Sequence, residues 1–295
     1  ASATTAGSFV YSPASGTILN AGANQTLSVS FTPTDASNFN SVPVTSVQLT
    51  VNKATPVVTW NAPAAIVYGT ALGATQLNAS ANTTGTFTYT PASGTILNAG
   101  ANQVLSVNFA PSNTNNFNPV TGVTVLITVN KATPVITWPN PAIISYGTAL
   151  SATQLNATTS VTGTFTYSPT AGTILDAGTQ TLSVDFVPTN TANYNAVSGT
   201  QALLTVNKVP IVVTANNRTR SYGATNPALT ITYAGFVNGE NETVLDTKPV
   251  GNTAANATSN VGSYPITVSG GVDNNYNFSY VAGALSVTKA NLTAT

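Results

Sequence analysis

Histidine, cysteine and methionine are absent from this chain of 295 residues, and charged residues make up only 5% of it. Without histidine or cysteine the chain cannot form a Ser–His–Asp triad, a cysteine nucleophile or the usual zinc sites. Disulfides are excluded as well, so each domain must be stabilised by its own core. These absences argue against an enzyme and against a bound metal or organic cofactor.

The few charges cancel, because the chain has seven basic and seven acidic side chains. An average soluble protein is about 25% charged. A neutral surface favours neither nucleic acid nor an anionic membrane, and we expect no nucleic-acid partner and no membrane insertion. Residues 54–130 contain no Asp, Glu, Lys, Arg or His at all. That stretch has no side chain suited to general acid–base chemistry near neutral pH.

What the chain has instead is an internal repeat. The segment Lys53-Ala-Thr-Pro-Val-Val-Thr-Trp60 returns 78 residues later as Lys131-Ala-Thr-Pro-Val-Ile-Thr-Trp138, and looser versions begin at Lys208 and Lys289. A fixed period of this size is typical of tandem domain arrays. Enzymes rarely need one small domain several times in a row, whereas stalks, fibres and multivalent surfaces do.

The period divides the chain into five predicted segments. They are an incomplete repeat at 1–52 that lacks its first strands, two complete repeats at 53–130 and 131–207, a divergent β domain at 208–288, and the first strand of a further repeat at 289–295. Nothing in the first repeat corresponds to 53–78 of the second. The simplest interpretation is a window cut from a longer array.

A second interpretation is strand donation, in which the end of one copy completes the deficient first repeat of another. The predicted strand-exchange segment consists of Lys289, Ala290, Asn291, Leu292, Thr293, Ala294 and Thr295. Seven residues cannot replace all of the missing ones. The two interpretations stay open at this point.

Within the second repeat, short β-branched runs alternate with Gly, Pro and Asn, which predicts strands rather than helices. The predicted strands are Val57–Trp60, Ala65–Tyr68, Gln76–Ala79, Thr84–Tyr89, Gln103–Phe109 and Val120–Val129. Apolar and polar residues alternate along Gln103–Phe109, which indicates a sheet half-buried against a second sheet. About seven strands in one period fit an immunoglobulin-like sandwich.

Aromatic residues recur at fixed places in the repeats. Phe39, Phe117 and Tyr194 each end a polar corner segment, and we expect them to close the end of a core. Trp60 and Trp138 lie on the first strands of their repeats and are predicted to be core residues rather than sugar-binding platforms.

The fourth repeat is different. It keeps a Tyr222-Gly223 pair that matches Tyr68-Gly69 and Tyr146-Gly147, and it adds the segment Phe236–Leu245. Asn238 or Gly239 in that segment is predicted to cap a single helical turn.

Together these motifs resemble known bacterial surface domains. The first three repeats, with Lys-Ala-Thr-Pro, Tyr-Gly-Thr and Gln-Leu-Asn-Ala, resemble bacterial immunoglobulin-like repeats. The fourth resembles the MBG domain of the YGX type, here Tyr222-Gly223-Ala224. The resemblance implies an all-β chain of tandem immunoglobulin-like β-sandwich domains in an extended rod. It also implies an extracellular or cell-surface location, as in large adhesin-like proteins.

Arg218 and Arg220 alternate on one predicted strand of the fourth repeat. They are candidates for contact with a sugar acid or a partner, or they are edge charges that discourage strand pairing. Glu240, Glu242 and Asp246 do not match the spacing of a calcium loop. Attached glycans and an isopeptide bond involving an acid of the third repeat are further alternatives.

The sequence therefore predicts a structural repeat segment of a bacterial extracellular protein, either a stalk or the subunit of a fibre. Its expected partner is itself, through tandem or head-to-tail neighbours. The alternative is an adhesive module that recognises a glycan or a surface protein through the fourth domain.

Overall fold

The computed structural model describes residues 1–291, and within them the chain is all-β, as predicted, with no helix. It divides into two compact units, one of residues 1–132 with 192–194 and the other of residues 133–191 with 195–295. Leu292 to Thr295, the end of the predicted strand-exchange segment, lie outside the described residues.

In residues 1–291 we find no helix long and apolar enough to cross a membrane.

In the first unit, the first repeat forms one antiparallel sheet with its second strand in the centre. The strands are β1 (Gly7–Ser12), β2 (Gly22–Pro33) and β3 (Val42–Val51). Phe31 on β2 is buried beneath Phe9 of β1, with ring centroids 4.8 Å apart. Most other apolar side chains of the sheet stay exposed, among them Val47 and Leu49. This repeat is a single sheet with one open face.

The second repeat, also in the first unit, has two sheets. Its strands are β4 (Val58–Thr59), β5 (Ile66–Val67), β6 (Ser80–Ala81), β7 (Gly85–Thr90), β8 (Gly100–Pro111) and β9 (Val120–Asn130). The larger sheet has the order β5-β9-β8-β7, and β4 pairs with β6. β5 runs parallel to β9, whereas β7, β8 and β9 are antiparallel.

The strand predicted at Gln76–Ala79 is wrong. The chain turns there, Leu77 N donates to Gly73 O at 2.9 Å, and the strand begins only at Ser80. The Gln76 side chain explains the turn, because its Oε1 accepts a hydrogen bond from Gly73 N at 3.1 Å. Such local side-chain bonds compete with strand pairing.

The core of the second repeat follows the alternation along β8. Leu105, Val107 and Phe109 are buried, and the first two pack with Trp60 and Leu72 from the segment before β6. Burying a side chain of this kind contributes roughly 1.5–3 kcal/mol. The prediction that Trp60 is a core residue is confirmed, and its Nε1 donates to Gln76 O at 3.0 Å.

In the second unit, the third repeat has the same larger sheet, and a single antiparallel bridge between Thr137 and Thr158 stands where β4 and β6 pair in the second repeat. Its strands are β10 (Ile144–Ser145), β11 (Gly163–Ser168), β12 (Gly178–Pro188) and β13 (Val197–Asn207), in the order β10-β13-β12-β11. Trp138 is buried against Leu150, Leu182 and Leu204, as predicted, and its Nε1 donates to Gln154 O at 3.0 Å.

The fourth repeat, in the second unit, is a two-sheet sandwich. Its strands are β14 (Val209–Ala215), β15 (Arg218–Ser221), β16 (Ile231–Ala234), β17 (Val250–Asn252), β18 (Gly262–Ser269), β19 (Tyr276–Val281) and β20 (Gly283–Thr288). The sheet orders are β16-β14-β19 and β15-β20-β18-β17. Ile211, Ile266 and Leu285 are fully buried in one core cluster. At Gly283, where the chain passes from one sheet to the other, a Cβ would lie 2.4 Å from Ala215 O.

The helical turn predicted near Asn238 is wrong. Asn238 and Gly239 have φ values of 54° and 76°, and two successive left-handed residues cannot begin a right-handed helix. Farther along, Asn241 Oδ1 accepts a hydrogen bond from Thr243 N at 3.0 Å, which forms a local turn. The segment is a pair of turns.

Candidate functional site

An asparagine amide joins the first two sequence repeats inside the first unit. Ala21 N donates to Asn116 Oδ1 at 2.7 Å, and Asn116 Nδ2 donates to Asn20 Oδ1 at 2.9 Å. One side chain of the second repeat therefore both accepts from and donates to the turn before β2. We call this pair of hydrogen bonds the clasp.

The clasp recurs twice more. In the first unit, Ala99 N donates to Asn193 Oδ1 at 2.7 Å, and Asn193 Nδ2 donates to Asn98 Oδ1 at 3.0 Å. In the second unit, Ala177 N donates to Asn275 Oδ1 at 2.8 Å, and Asn275 Nδ2 donates to Asp176 Oδ1 at 3.0 Å. The same chemistry thus links residues of three consecutive pairs of repeats.

The turns that carry the clasp asparagines Asn116 and Asn275 are each held by a second polar side chain. Asn116 N donates to Asn113 Oδ1 at 3.2 Å, and Asn275 N donates to Asp273 Oδ1 at 2.7 Å. Asn and Asp favour such turns because their short side chains bond to the backbone just ahead of them. We call this turn, from its first Asn or Asp to the aromatic after the clasp asparagine, the corner.

In the second and fourth repeats, the lysine that opens the repeat contacts the corner of the same repeat. Lys53 Nζ donates to Thr114 O at 2.7 Å, and Lys208 Nζ donates to Asp273 O at 2.8 Å. Next to the lysine, Ala54 N donates to Asn116 O at 2.9 Å. The opening segment of a repeat is therefore part of the structure that presents the clasp asparagine.

In the third and fourth repeats, the aromatic after the clasp asparagine packs on a tyrosine of the preceding repeat. The rings of Tyr194 and Tyr68 have centroids 5.3 Å apart and an angle of 81° between their planes. For Tyr276 and Tyr146 the values are 5.5 Å and 80°. Edge-to-face pairs of this kind contribute about 0.5–1.5 kcal/mol beyond their buried area. We predicted that corner aromatics close the core of their own repeat, but Phe39 is 51% exposed, so that expectation is wrong for the first repeat.

A carboxylate reinforces the contact in the second unit. Tyr146 Oη donates to Glu240 Oε1 at 2.7 Å, and Tyr276 Oη donates to Glu240 Oε2 at 2.6 Å. The hydrogen bond to Glu240, followed by burial, raises the pKa of Tyr146 to about 12. Burial, followed by the hydrogen bond to Glu240, raises the pKa of Tyr276 to about 12. Both hydroxyls stay protonated at neutral pH and serve as donors.

Arg218 and Arg220 lie on β15, as the predicted alternation requires. Arg220 is only 6% exposed, and its guanidinium donates to Asn226 Oδ1 at 2.7 Å, to Ser221 O at 3.2 Å and to Asn256 O. Arg218 is half-buried, and its Nε donates to Ala228 O at 3.2 Å. Arg220 is thus a structural residue of the fourth repeat, and a ligand contact through this pair stays a prediction.

The predicted strand-exchange segment is described only at its start. Lys289, Ala290 and Asn291 follow β20 without strand structure, and the remaining four residues lie outside the described part. Strand exchange through this segment stays a prediction.

Sequence reasoning overlooked the asparagines that carry the clasp. A signal was present, because Asn precedes the corner aromatic in all four repeats, as Asn38, Asn116, Asn193 and Asn275. The role of these asparagines could not be inferred from that pattern, because it depends on the corner of one repeat lying against the turn of the repeat before it. Among residues 1–291, no three His, Cys, Asp or Glu side chains come together as metal ligands.

Comparison with known proteins gives distant structural likenesses. One is to the crystal structure of Drosophila N-cadherin EC1-4, at 11% identity and a TM-score of 0.27, covering 90% of this chain and 83% of that one. Another is to the S-layer protein rSbsC, at 13% identity and a TM-score of 0.22, covering 92% of this chain. This chain spans 46% of that S-layer chain.

No curated protein matches the chain. The family comparison agrees with the motifs of the fourth repeat: residues 211–286 match the family model of the MBG domain (YGX type).

Proposed function

We propose that this chain is a non-enzymatic structural segment of a bacterial extracellular or cell-surface protein, acting as a stalk or as a subunit of an extracellular fibre. The observation that carries the proposal is the clasp, which joins three consecutive pairs of repeats with nearly equal distances. A repeated contact of this kind transmits tension and limits bending between neighbours. The MBG match over residues 211–286 agrees with a modular extracellular role.

The open face of the first repeat supports the fibre form of the proposal. Leu27 and Leu49 are partly or largely exposed, whereas their counterparts one period later, Leu105 and Ile127, are fully buried. A cavity of about 670 Å³ lies on this repeat, lined by its first five residues with Phe9, Phe31 and Phe39. In the second repeat the corresponding face packs against side chains from residues 60–77.

The occupant that we propose for the edge of this face is the C-terminal segment of a second copy, Lys289 to Thr295. It begins with Lys-Ala, like the opening segment of the second repeat. There, Ala54 N donates to Asn116 O at 2.9 Å and Ala54 O accepts from Asn118 N at 2.8 Å. In the first repeat, one period earlier, the atoms that correspond to Asn116 O and Asn118 N are Asn38 O and Asn40 N. These are the backbone atoms with which the segment of the second copy would pair.

Removing two of the three clasps tests the stalk. In the double variant Asn116→Ala, Asn275→Ala we expect a wider spread of interatomic distances in solution X-ray scattering, because each substitution deletes two hydrogen bonds worth about 1 kcal/mol each. Asn252→Ala is the matched control, since this exposed asparagine bonds within its own repeat to Ser269 Oγ at 3.4 Å. Identical scattering from the double variant and the wild type contradicts the stalk mechanism.

Negative-stain electron microscopy tests the fibre. We expect filaments with a repeat of one chain length, which disappear when residues 289–295 are removed. Filaments that persist without those residues contradict strand donation.

A further inference from the structure

We propose that an exposed surface of the fourth repeat, formed by Tyr222, Asn260 and Val261, binds the Asn38–Phe39 corner of a second copy of this chain. We call it the acceptor surface. The inference rests on the proposed function and names the contact through which copies join.

The register of β18 places Asn260 and Val261 in the clasp position. Gly262, the first residue of β18, lies opposite Val287 of β20. The first residues of β8 and β12 have the same place, opposite Val129 and Val206. The two residues before β18 are therefore equivalent to Asn98-Ala99 and Asp176-Ala177, the two pairs that the clasp engages.

Tyr222 occupies the position of the tyrosines that receive a corner aromatic. Its backbone N donates to Thr288 O at 2.8 Å. Tyr68 N donates to Asn130 O, and Tyr146 N to Asn207 O, at the same 2.8 Å. Each of the three tyrosines is followed by a glycine with positive φ, between 81° and 94°. All three tyrosines therefore share this backbone hydrogen bond and the left-handed glycine after it.

The acceptor surface differs from its counterparts in being uncovered. Tyr68 and Tyr146 are half-buried, and so are the alanines of their clasps. Tyr222 is 47% exposed and Val261 is 52% exposed. Asn260 is exposed as well. The fourth repeat thus presents an aromatic face, an amide and a backbone N–H in the arrangement that binds a corner elsewhere in the chain.

The first repeat carries a corner that matches this surface. The corners of the second, third and fourth repeats are engaged in clasps within the chain, whereas Phe39 of the first is 51% exposed. Asn38 Nδ2 donates to Asp35 Oδ2 at 2.8 Å. An amide has two N–H groups and an oxygen, so Asn38 can still accept from Val261 N and donate to Asn260 Oδ1. Phe39 then packs on Tyr222.

Substitutions at Val261 test the docking, because only one of them removes the N–H that the clasp requires. Val261→Ala keeps the N–H and reproduces the alanine of the occupied clasps, whereas Val261→Pro has no N–H to donate. We measure self-association of the full chain by sedimentation over a concentration series. The wild type and Val261→Ala should associate with dissociation constants on the order of 1 mM, and Val261→Pro at least about tenfold more weakly, the equivalent of one lost hydrogen bond.

Tyr222→Ala provides a second test in case the proline disturbs folding, and it should also weaken association about tenfold. Tyr280→Ala is its control, because Tyr280 is an exposed tyrosine of β19 in the same repeat. Circular dichroism and thermal unfolding establish that each variant is folded.

A chain that stays monomeric at every concentration overturns the acceptor surface, and so does equal association of the wild type, Val261→Pro and Tyr222→Ala. Neither outcome affects the stalk, which is tested on the single chain by scattering. Loss of association on removal of residues 289–295, with no effect of Val261→Pro, also overturns the acceptor surface while it supports strand donation.

Discussion

The clasp depends on a chemical property of the asparagine side chain. Its amide accepts from a backbone N–H with one atom and donates to a neighbouring Asn or Asp oxygen with the other, as Asn116 does with Ala21 and Asn20. An aspartate can accept but not donate, and serine has a single, differently placed oxygen. In a chain with so few charges, neutral amides supply the directional contacts that salt bridges supply in other proteins.

At the residue scale, Glu240→Gln should lower the pKa of both Tyr146 and Tyr276 from about 12. The fall should be larger for Tyr146, because the hydrogen bond to Glu240 is the main cause of its shift, whereas burial is the main cause for Tyr276. Phenolate absorbance or tyrosine NMR during an alkaline titration measures both values. Glu242→Gln is the control, because Glu242 bonds to neither hydroxyl. Equal pKa values in the variant and the wild type contradict the carboxylate's role.

The same pair predicts how stability depends on alkaline pH. Both tyrosines have folded-state pKa values above the ordinary value of about 10, so the folded state holds these protons more tightly than the unfolded state. Their contribution to stability is fully present below about pH 10 and is lost as the pH rises through about 12. This loss should be smaller in Glu240→Gln.

At the scale of elements, one residue of β8 explains why the second and third repeats differ in length. β8 has 12 residues and a register shift between Gly100 and Gln103, where Asn102 has a φ of 56°. β12 has 11 residues and no shift at that place. The extra residue in β8 is a bulge that leaves the pairing on either side intact. The shortening of the period from 78 to 77 residues is therefore absorbed without moving the core.

The alternation along β8 predicts unequal effects of two neighbouring substitutions. Leu105 is 0% exposed and Val104 is 57% exposed. Leu105→Ala should lower the free energy of unfolding of the second repeat by about 3 kcal/mol, because it leaves a cavity. Val104→Ala, the control, should cost less than about 1 kcal/mol. Denaturant unfolding followed by Trp60 fluorescence in a Trp138→Phe background measures both, and equal losses contradict the assigned register.

At the scale of the whole molecule, the lack of side chains that titrate near neutral pH predicts a stability that stays flat across that range. Carboxylates ordinarily titrate below about pH 5, and lysine and tyrosine above about pH 9. The chain has no histidine or cysteine to titrate between those limits. The free energy of unfolding should therefore change by less than about 0.5 kcal/mol between about pH 6 and pH 9. Denaturation at several pH values tests this, and a steep slope in that window contradicts it.

The sequence by itself determined the all-β class, the period, the buried tryptophans and the face of β8 that enters the core. These follow from local patterns, because side chains alternate along a strand and Gly, Pro and Asn mark its ends. It misjudged Gln76–Ala79 and the segment near Asn238, where single side chains and left-handed residues turn the chain.

Only the tertiary structure decided the contacts between repeats. The partners in each clasp are more than 90 residues apart in the chain, and no pattern within one period relates them. Arg220 shows the same limit, since alternation placed it on a strand but its burial depends on loops that supply Asn226 and Asn256. Periodicity reports which face of a strand is apolar, whereas the partner of a polar side chain is set by which distant segments the fold brings within hydrogen-bonding distance.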